Sequence, residues 1–314
     1  MTTNKNKSDP PEASVVVASF SSAKALAKCL ASLAVAAPAA EIIVATCLDE
    51  GEISDVKASY PSVLFIGLHD DPDEQSLLML ETRVFRLRSQ GLKLAQGEIV
   101  AMIEDHCEVC ADWLINMENA IKAGHHIVGG PVQCSVEPGL FEYALYLSEY
   151  AAMMPPFPIK PINYISAVNS AYTRRSLIAC QHVWRDGFYD NEVHDALIAL
   201  GATYQLVASS TVKTELPFSP RQAVIHLFSG AMRYGSQRVG QKWSIKRAVR
   251  MVATIFVPLV LMFRIFNIVR IRCPENLIKF MLSVPWLSVL LFAWGAGEFF
   301  GVLKGRDGLT HGKT

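Results

Sequence analysis

The sequence lacks a net charge, a secretory leader and a cysteine framework. Its 29 basic and 29 acidic residues cancel, and its first 14 residues are polar, so no leader segment is expected. The seven cysteines are scattered and do not have the spacing of a disulfide scaffold, which favours a reducing compartment. A disulfide-rich secreted protein is excluded, and residues 1–13 are predicted to be a disordered lead-in.

The zero net charge hides an uneven distribution. From Lys242 to the C-terminus there are 11 Lys and Arg against 3 Asp and Glu, about +8, which leaves the preceding part near −8. The basic residues flank apolar stretches and do not alternate with aromatic side chains, so no nucleic-acid partner is expected. This asymmetry predicts an acidic folded domain followed by a basic tail that binds to a surface such as a membrane.

Two apolar stretches, 251–263 and 280–303, occupy this tail. A bilayer span needs about 20 mostly apolar residues, a length that the second stretch reaches. The first reaches it only if Arg264 snorkels or faces protein. We expect amphipathic membrane-proximal helices at 217–248, a transmembrane or interfacial apolar hairpin at 249–304 and a tail at 305–314. A pair of buried core helices is the alternative.

Basic residues on both sides of the predicted hairpin favour two cytoplasmic ends. The expected location is therefore the inner cell membrane, with the folded domain in the cytoplasm. Basic residues in the connecting loop weaken this orientation.

Residues 14–216 alternate between short apolar runs and amphipathic segments. Strands are predicted at 14–20, 41–47, 63–68, 99–103 and 126–133, with a helix at Ala23–Ala36 and another through Arg88 and Leu94. Alternation of this kind is typical of an α/β domain with a mainly parallel sheet and right-handed crossovers.

The fourth of these strands ends in Glu104, Asp105 and His106. Open α/β sheets bind ligands at the carboxyl edge of their strands, so the triplet could bind a metal or transfer protons. Taken alone, such a triplet is more often a surface turn. Cys107 and Cys110 follow, but a single C-x-x-C without a second pair is weak evidence for zinc.

The sequence on both sides of the triplet resembles that of the family 2 glycosyltransferases. The matching landmarks, at matching spacing, are Arg88-Ser-Gln-Gly91-Leu92, Ala95-Gln-Gly97-Glu98 and Asp112-Trp113-Leu114. The resemblance implies a GT-A nucleotide-sugar-binding fold that transfers sugar with inversion. It also implies a divalent cation, Mn²⁺ or Mg²⁺, at the diphosphate of the donor. Glu104 and His106 stand at the first and last positions of the family's D-x-D motif and are expected to bind the metal.

The resemblance also assigns nucleotide-sugar contacts. Ala18, Ser19 and Phe20 match the turn that faces the nucleotide, Arg88 matches an arginine near the base and phosphates, and Asp105 is expected at the ribose or sugar. The second strand exit, 45–49, lacks the aspartate that contacts the base in the family, so the nucleotide base stays open.

A second carboxylate site is predicted at the start of a helix that ends before Gly201. Inversion needs one base to accept the proton of the acceptor hydroxyl, and Asp190 is the expected base. The resemblance continues at 169–175, which matches the family's N-x-A-Y-R-R strand and implies that Asn169 lies on the acceptor or sugar side, where Glu192 is also expected. The alternative for Asp190 and Glu192 is that both only cap the helix.

The predicted function is transfer of a single sugar to a membrane lipid or lipid-linked glycan. Residues 230–234 lack the Gln and Trp of the Q-x-x-R-W motif of processive synthases, which argues against a polymerase. The alternatives are a transferase with a soluble acceptor and a non-catalytic, membrane-tethered binding or scaffold protein.

Overall fold

The computed structural model describes residues 11–68, 77–134, 137–157, 165–240 and 242–305, with only the backbone of 77–82. The predicted lead-in lies mostly, and the predicted tail almost wholly, outside these ranges. The chain divides into two compact units: Met1–Gln133 with Pro155–Glu215, and Cys134–Met154 with Leu216–Thr314. Residues 134–154 group with the C-terminal helices, and the predicted domain boundaries stay a prediction.

The first unit is built on a seven-stranded sheet. Its strands are, in chain order, Ala13–Ser19 (β1), Glu41–Thr46 (β2), Leu64–Gly67 (β3), Ile99–Glu104 (β4), Ile127–Gly129 (β6), Asn169–Thr173 (β8) and Tyr204–Leu206 (β9). The spatial order is β3-β2-β1-β4-β8-β6-β9, and β8 alone runs against its two neighbours in this sheet. The predicted α/β class with a mainly parallel sheet is confirmed.

A smaller sheet of three strands lies beside the end of β4. It consists of Cys107–Val109 (β5), Val132–Cys134 (β7) and Val212–Thr214 (β10). The prediction of one strand over 126–133 was wrong, because the chain leaves the large sheet at Gly130 and Pro131 and enters the small one as β7. Proline cannot donate a ladder hydrogen bond, and a Cβ on Gly130 would lie 1.8 Å from the carbonyl oxygen of Ser210.

Helices cover the sheet of the first unit. They are Ala23–Ala36 (α1), Glu50–Ser59 (α2), Leu77–Leu94 (α3), Trp113–Lys122 (α4), Arg174–Ala179 (α6), Gln181–Trp184 (α7) and Asp190–Ala199 (α8).

The turn between α3 and β4 explains one landmark glycine. A Cβ on Gly97 would lie 2.5 Å from the backbone nitrogen of Ser14, so a larger residue would push β1 away from this turn. The Gly97 amide donates to the Ser14 hydroxyl, which donates to Glu41. This close approach places the start of β4 directly against β1.

The second unit is helical. Its helices are Leu140–Tyr150 (α5), Pro220–Gln237 (α9), Ile245–Thr254 (α10), Val257–Arg272 (α11) and Leu277–Lys304 (α12), with short 3-10 turns at Ala151–Met153 and Pro274–Asn276. The predicted apolar helix at the C-terminus is confirmed. Among the described residues, Pro274–Lys304 is long and apolar enough to cross a bilayer, a test that a core helix of a soluble protein also passes. The helices α10 and α11 would add a second span only as one broken element, bent by 56°.

Candidate functional site

The Glu104-Asp105-His106 triplet forms the turn between β4 and β5 at the carboxyl edge of the large sheet. Glu104 is the last residue of β4, and all three residues are buried, with 6, 1 and 6 % exposure. A solvated surface turn, the alternative for this triplet, would leave its charged groups exposed to water. Burial of three polar groups requires partners for them.

Asp105 is held by the exit of β1. Its carboxylate accepts hydrogen bonds from the Ser19 hydroxyl at 3.0 Å, from the Phe20 and Ser21 amides at 2.9 and 2.8 Å, and from the Ser21 hydroxyl at 2.6 Å. The Asp105 amide donates to the carbonyl of Ala18. The predicted nucleotide-binding turn and Asp105 thus form one rigid unit, in which Asp105 holds the turn; contact with a ribose stays a prediction.

Sequence reasoning assigned no role to Ser21, which makes two of these bonds. The available signal was its position, since Ser21 stands where the family's turn carries an asparagine. The second strand exit is tied to the same unit, because the Thr46 hydroxyl donates to the Ser19 hydroxyl and accepts from the Leu48 amide.

Arg88 joins the two predicted carboxylate sites. Its guanidinium donates to Glu104 Oε1 and, at 2.8 Å, to Asp190 Oδ1. All three side chains are largely buried, with 8, 7 and 13 % exposure for Arg88, Glu104 and Asp190. Because the planar fork of arginine has several fixed donors, one side chain can bridge residues that are 86 positions apart in the chain.

Aromatic side chains line this bridge. The Arg88 guanidinium lies 5.5 Å from the ring centre of Phe85, and the Phe85 ring packs on Tyr189 at 4.3 Å. Tyr189 immediately precedes Asp190, so the aromatic pair helps to fix the approach of the Asp190 carboxylate. Apolar walls also exclude water, which strengthens the charge interactions between them.

Asp190 is the first residue of α8, but its carboxylate does not cap that helix. Its Oδ2 atom accepts from the Ala167 amide at 2.9 Å, and its Oδ1 atom accepts from Arg88. The capping interpretation therefore fails for Asp190 on the described contacts. Glu192 lies in the same first turn and is partly exposed.

Asn169 connects several parts of the first unit through side-chain hydrogen bonds. Its side-chain oxygen accepts from the Trp113 indole at 2.8 Å, and its amide nitrogen donates to the carbonyls of Pro131 and Ser210, both at 2.8 Å. The residue is 1 % exposed. Asn169 thus ties β8 to the start of α4 and to two loops, while a contact with sugar stays a prediction.

His106 is the third residue of the triplet at the carboxyl edge of the large sheet. Its Nε2 atom lies 3.5 Å from Glu104 and its Nδ1 atom 3.8 Å from Asp105, and neither buried ring nitrogen makes a hydrogen bond. The Phe20 ring meets the imidazole edge-on at 5.6 Å. Burial acts to lower the pKa of His106, but interactions with Cys107, Asp105 and Glu104 outweigh it and raise the pKa well above its ordinary value.

The described residues do not by themselves form a complete metal site. Among the described residues no group of three or more His, Cys, Asp or Glu could bind one. Arg88 already neutralises Glu104, and the carboxylate of Asp105 is occupied by four donors. The Cys110 thiol donates to the Ser209 carbonyl. Metal dependence therefore stays a prediction.

Comparisons with known proteins give a distant structural likeness. No family model and no curated protein sequence matches the chain. Among solved structures, the chain is similar to TarS residues 1–349 from S. aureus, crystallised in complex with UDP. The identity is 13 % over 91 % of this chain and 90 % of that chain, and the TM-score is 0.47.

Proposed function

We propose that the chain is an inverting glycosyltransferase of the family 2 type that moves one sugar from a nucleotide-sugar donor to a membrane-associated acceptor. The observation that carries the proposal is the Arg88 bridge between Glu104 and Asp190. Two carboxylates assigned from separate motifs are connected through a third assigned residue at one sheet edge. Catalysis would require these three residues to be close together, and a buried site is where their charges interact most strongly.

Asp190 is the proposed base. The acceptor oxygen attacks the anomeric carbon while its proton passes to the Asp190 carboxylate, and the bond from that carbon to the diphosphate breaks with its electron pair on the leaving nucleotide. The Asp190 carboxylate lies at the N-terminus of α8. The Arg88 and Ala167 contacts orient it and still leave lone pairs for the acceptor.

The proposed nucleotide subsite is the turn at the end of β1, formed by Ala18, Ser19 and Phe20. Its backbone is fixed by Asp105 before any donor arrives, so ordering costs little on binding. Phe20 is partly exposed beside His106 and offers a ring against which a base or ribose can pack. Glu192 and Asn169 keep their assignment to the acceptor or sugar side as part of this proposal.

The membrane part of the proposal rests on the C-terminal unit. Exposed apolar side chains are concentrated on α10, α11 and α12, next to the basic residues of the tail. A lipid or lipid-linked acceptor would meet the enzyme at such a surface. The cytoplasmic face of the inner membrane is the proposed location, because nucleotide sugars are charged and soluble.

The test is turnover of UDP-, GDP- and dTDP-sugars by detergent-purified protein with Mn²⁺, Mg²⁺ or EDTA. We expect turnover of one donor, and at least a 100-fold loss of acceptor transfer in Asp190→Asn, because general-base catalysis contributes about 10²–10⁴-fold. Asp195→Asn, an exposed acid on the same helix, is the matched control. Dependence on metal, lost with His106→Ala, would support the predicted cofactor.

The non-catalytic scaffold is the alternative that this test can establish. Both carboxylate oxygens of Asp190 are already engaged, which a purely structural ion pair would also show. The transferase proposal would be overturned if no donor were turned over and no donor changed the melting temperature of the protein.

A further inference from the structure

The C-terminal unit presents one apolar stripe along the whole of α12. The exposed positions recur every three or four residues, so they share one face of the helix. Between Ile278 and Leu303 this face carries no charged residue, over roughly 38 Å at 1.5 Å per residue. The exposed residues are Ile278, Met281, Leu282, Pro285, Trp286, Val289, Phe292, Ala296, Phe300 and Leu303.

The opposite face of α12 is packed against protein. Near its start, α12 also contacts α5 at the edge of the exposed stripe, where Trp286 meets Phe141 and Lys279 lies over the ring of Tyr143. Toward its end, α12 packs on α9 so closely that a Cβ on Gly297 or Gly301 would lie 2.0 or 1.9 Å from a carbonyl oxygen of α9. Protein contacts therefore run from Lys279 to Gly301, about 33 Å.

This packing bears on whether α12 can cross a bilayer alone. The hydrocarbon core is about 30 Å thick, so a crossing α12 would carry α5 and α9 into it. The helix α9 bears Arg221, His226, Arg233 and Gln237, followed directly by Arg238, and Arg238 is half exposed beside Glu298. Charged side chains inside the hydrocarbon core are costly, which favours an arrangement that keeps α9 out of it.

The helix α10 has the pattern of a helix that lies in an interface. Arg247 and Thr254 face the protein, and Arg247 donates to the Val302 and Leu303 carbonyls at the end of α12. Ile245, Val249 and Val252 are exposed on the side opposite Arg247 and Thr254.

The basic residues of α10 sit beside this apolar face. Lys246 and Arg250, also exposed, lie along its flank at i, i+4 spacing. Apolar residues beside a basic flank fit the boundary between acyl chains and anionic head groups.

We propose that the C-terminal unit lies in one leaflet of an anionic bilayer, with α10 and α12 parallel to the membrane plane and no segment crossing it. The proposal rests on the membrane attachment proposed above and adds a geometry to it. Lipid is the occupant because exposed basic residues, Lys242, Lys246, Arg250, Arg264, Arg270 and Lys304, accompany the apolar faces.

The test compares labelling of two exposed positions by a membrane-impermeant maleimide in sealed vesicles of both orientations from expressing cells. Glu275→Cys lies in the connection between α11 and α12, and Glu50→Cys lies on α2 of the first unit. The in-plane arrangement predicts that both label from the same side. The unsubstituted chain, with its seven cysteines, gives the background.

Labelling of Glu275→Cys from the side opposite to Glu50→Cys would overturn the in-plane geometry while leaving membrane attachment intact. Absence of the protein from the membrane fraction would instead remove the attachment itself. If the protein were a soluble dimer that does not bind vesicles, its apolar faces would be covered by a second copy of the chain, and the proposal would also be overturned.

A second measurement tests the lipid contact of α10. Lys246→Gln and Arg250→Gln should each weaken binding to phosphatidylserine vesicles about five-fold, since one basic residue near the surface contributes about 1 kcal/mol, and should leave binding to neutral vesicles unchanged. Lys57→Gln, on the first unit, is the control. Equal affinity for both vesicle types in all variants would contradict the head-group contact.

Discussion

At the residue scale, Arg88 has the most consequential contacts in the first unit. The sequence assigned it to the nucleotide, whereas its described contacts are with Glu104 and Asp190. An arginine that bridges Glu104 and Asp190 controls the distance between these two carboxylates. Its function would then be to position the base, with an effect on the rate of the chemical step.

Substitution Arg88→Lys tests this role. A lysine ammonium is a point charge and cannot keep both bonds in the geometry of the fork. We expect kcat to fall about ten-fold or more, since a hydrogen bond between charged groups contributes about 1.5–3 kcal/mol, and donor affinity to change less than about three-fold.

Steady-state kinetics and equilibrium donor binding provide the two readouts. Arg185→Lys, at an exposed position, is the matched control. A weakened donor with an unchanged kcat would identify Arg88 as a phosphate ligand instead.

His194 predicts a pH dependence of stability. The residue is buried on α8, and its Nε2 atom lies 2.8 Å from the Tyr172 hydroxyl. Burial lowers the pKa of His194 to about 4. Between pH 4 and about 6.5 the unfolded chain binds a proton at His194 that the folded chain does not, so the free energy of unfolding falls as the pH falls.

The expected loss is about 3 kcal/mol across that window. Thermal or denaturant unfolding of wild type and His194→Gln at pH 4.5 and 7 measures it, and the variant should have the shallower dependence. His182→Gln, an exposed histidine on α7, should retain the wild-type slope. Parallel pH profiles for wild type and His194→Gln would contradict the assignment.

At the element scale, the sheet type and several element positions could be predicted from the sequence, whereas particular contacts between distant residues could not. The helix Ala23–Ala36 and the carboxyl-edge position of Glu104 follow from periodicity and from strand ends. The split of β6 from β7 depends on the approach of Gly130 to Ser210, 80 residues away. The Arg88 bridge likewise depends on tertiary packing, because no spacing rule connects positions 88, 104 and 190.

The contact between α9 and α12 is the tightest helix pair of the C-terminal unit and gives a prediction of its own. Gly297→Val would place side-chain carbons where the Phe228 carbonyl lies. Overpacking of this kind costs about 1–3 kcal/mol or more, so the melting temperature in detergent should fall.

The matched control is Gly51→Ala on α2, where a Cβ meets nothing within 4 Å. Alanine there should be neutral or slightly stabilising, because glycine is the poorer helix former. A Gly297→Val variant as stable as wild type would show that α9 and α12 can separate without loss.

At the scale of the whole molecule, the chain leaves the first unit, contributes α5 to the second, and returns before its final departure at Leu216. The sequence placed residues 14–216 in one domain because nothing in the composition of α5 differs from that of a core helix. Its buried residues include Tyr143, Leu145, Tyr146 and Leu147, and among the described helices α5 packs mainly on α12.

A chain truncated after Glu215 should therefore be poorly soluble, because α5 loses the helix that covers it. Replacing residues 137–154 in this truncated chain with a glycine-serine linker should restore a monomer, since the residue set of the candidate site lies entirely in the first unit. Size-exclusion chromatography and binding of a hydrophobic dye compare the two. If the simple truncation were monomeric and bound no dye, residues of the first unit would have to cover the apolar face of α5. The division of the chain into these two units would then be wrong.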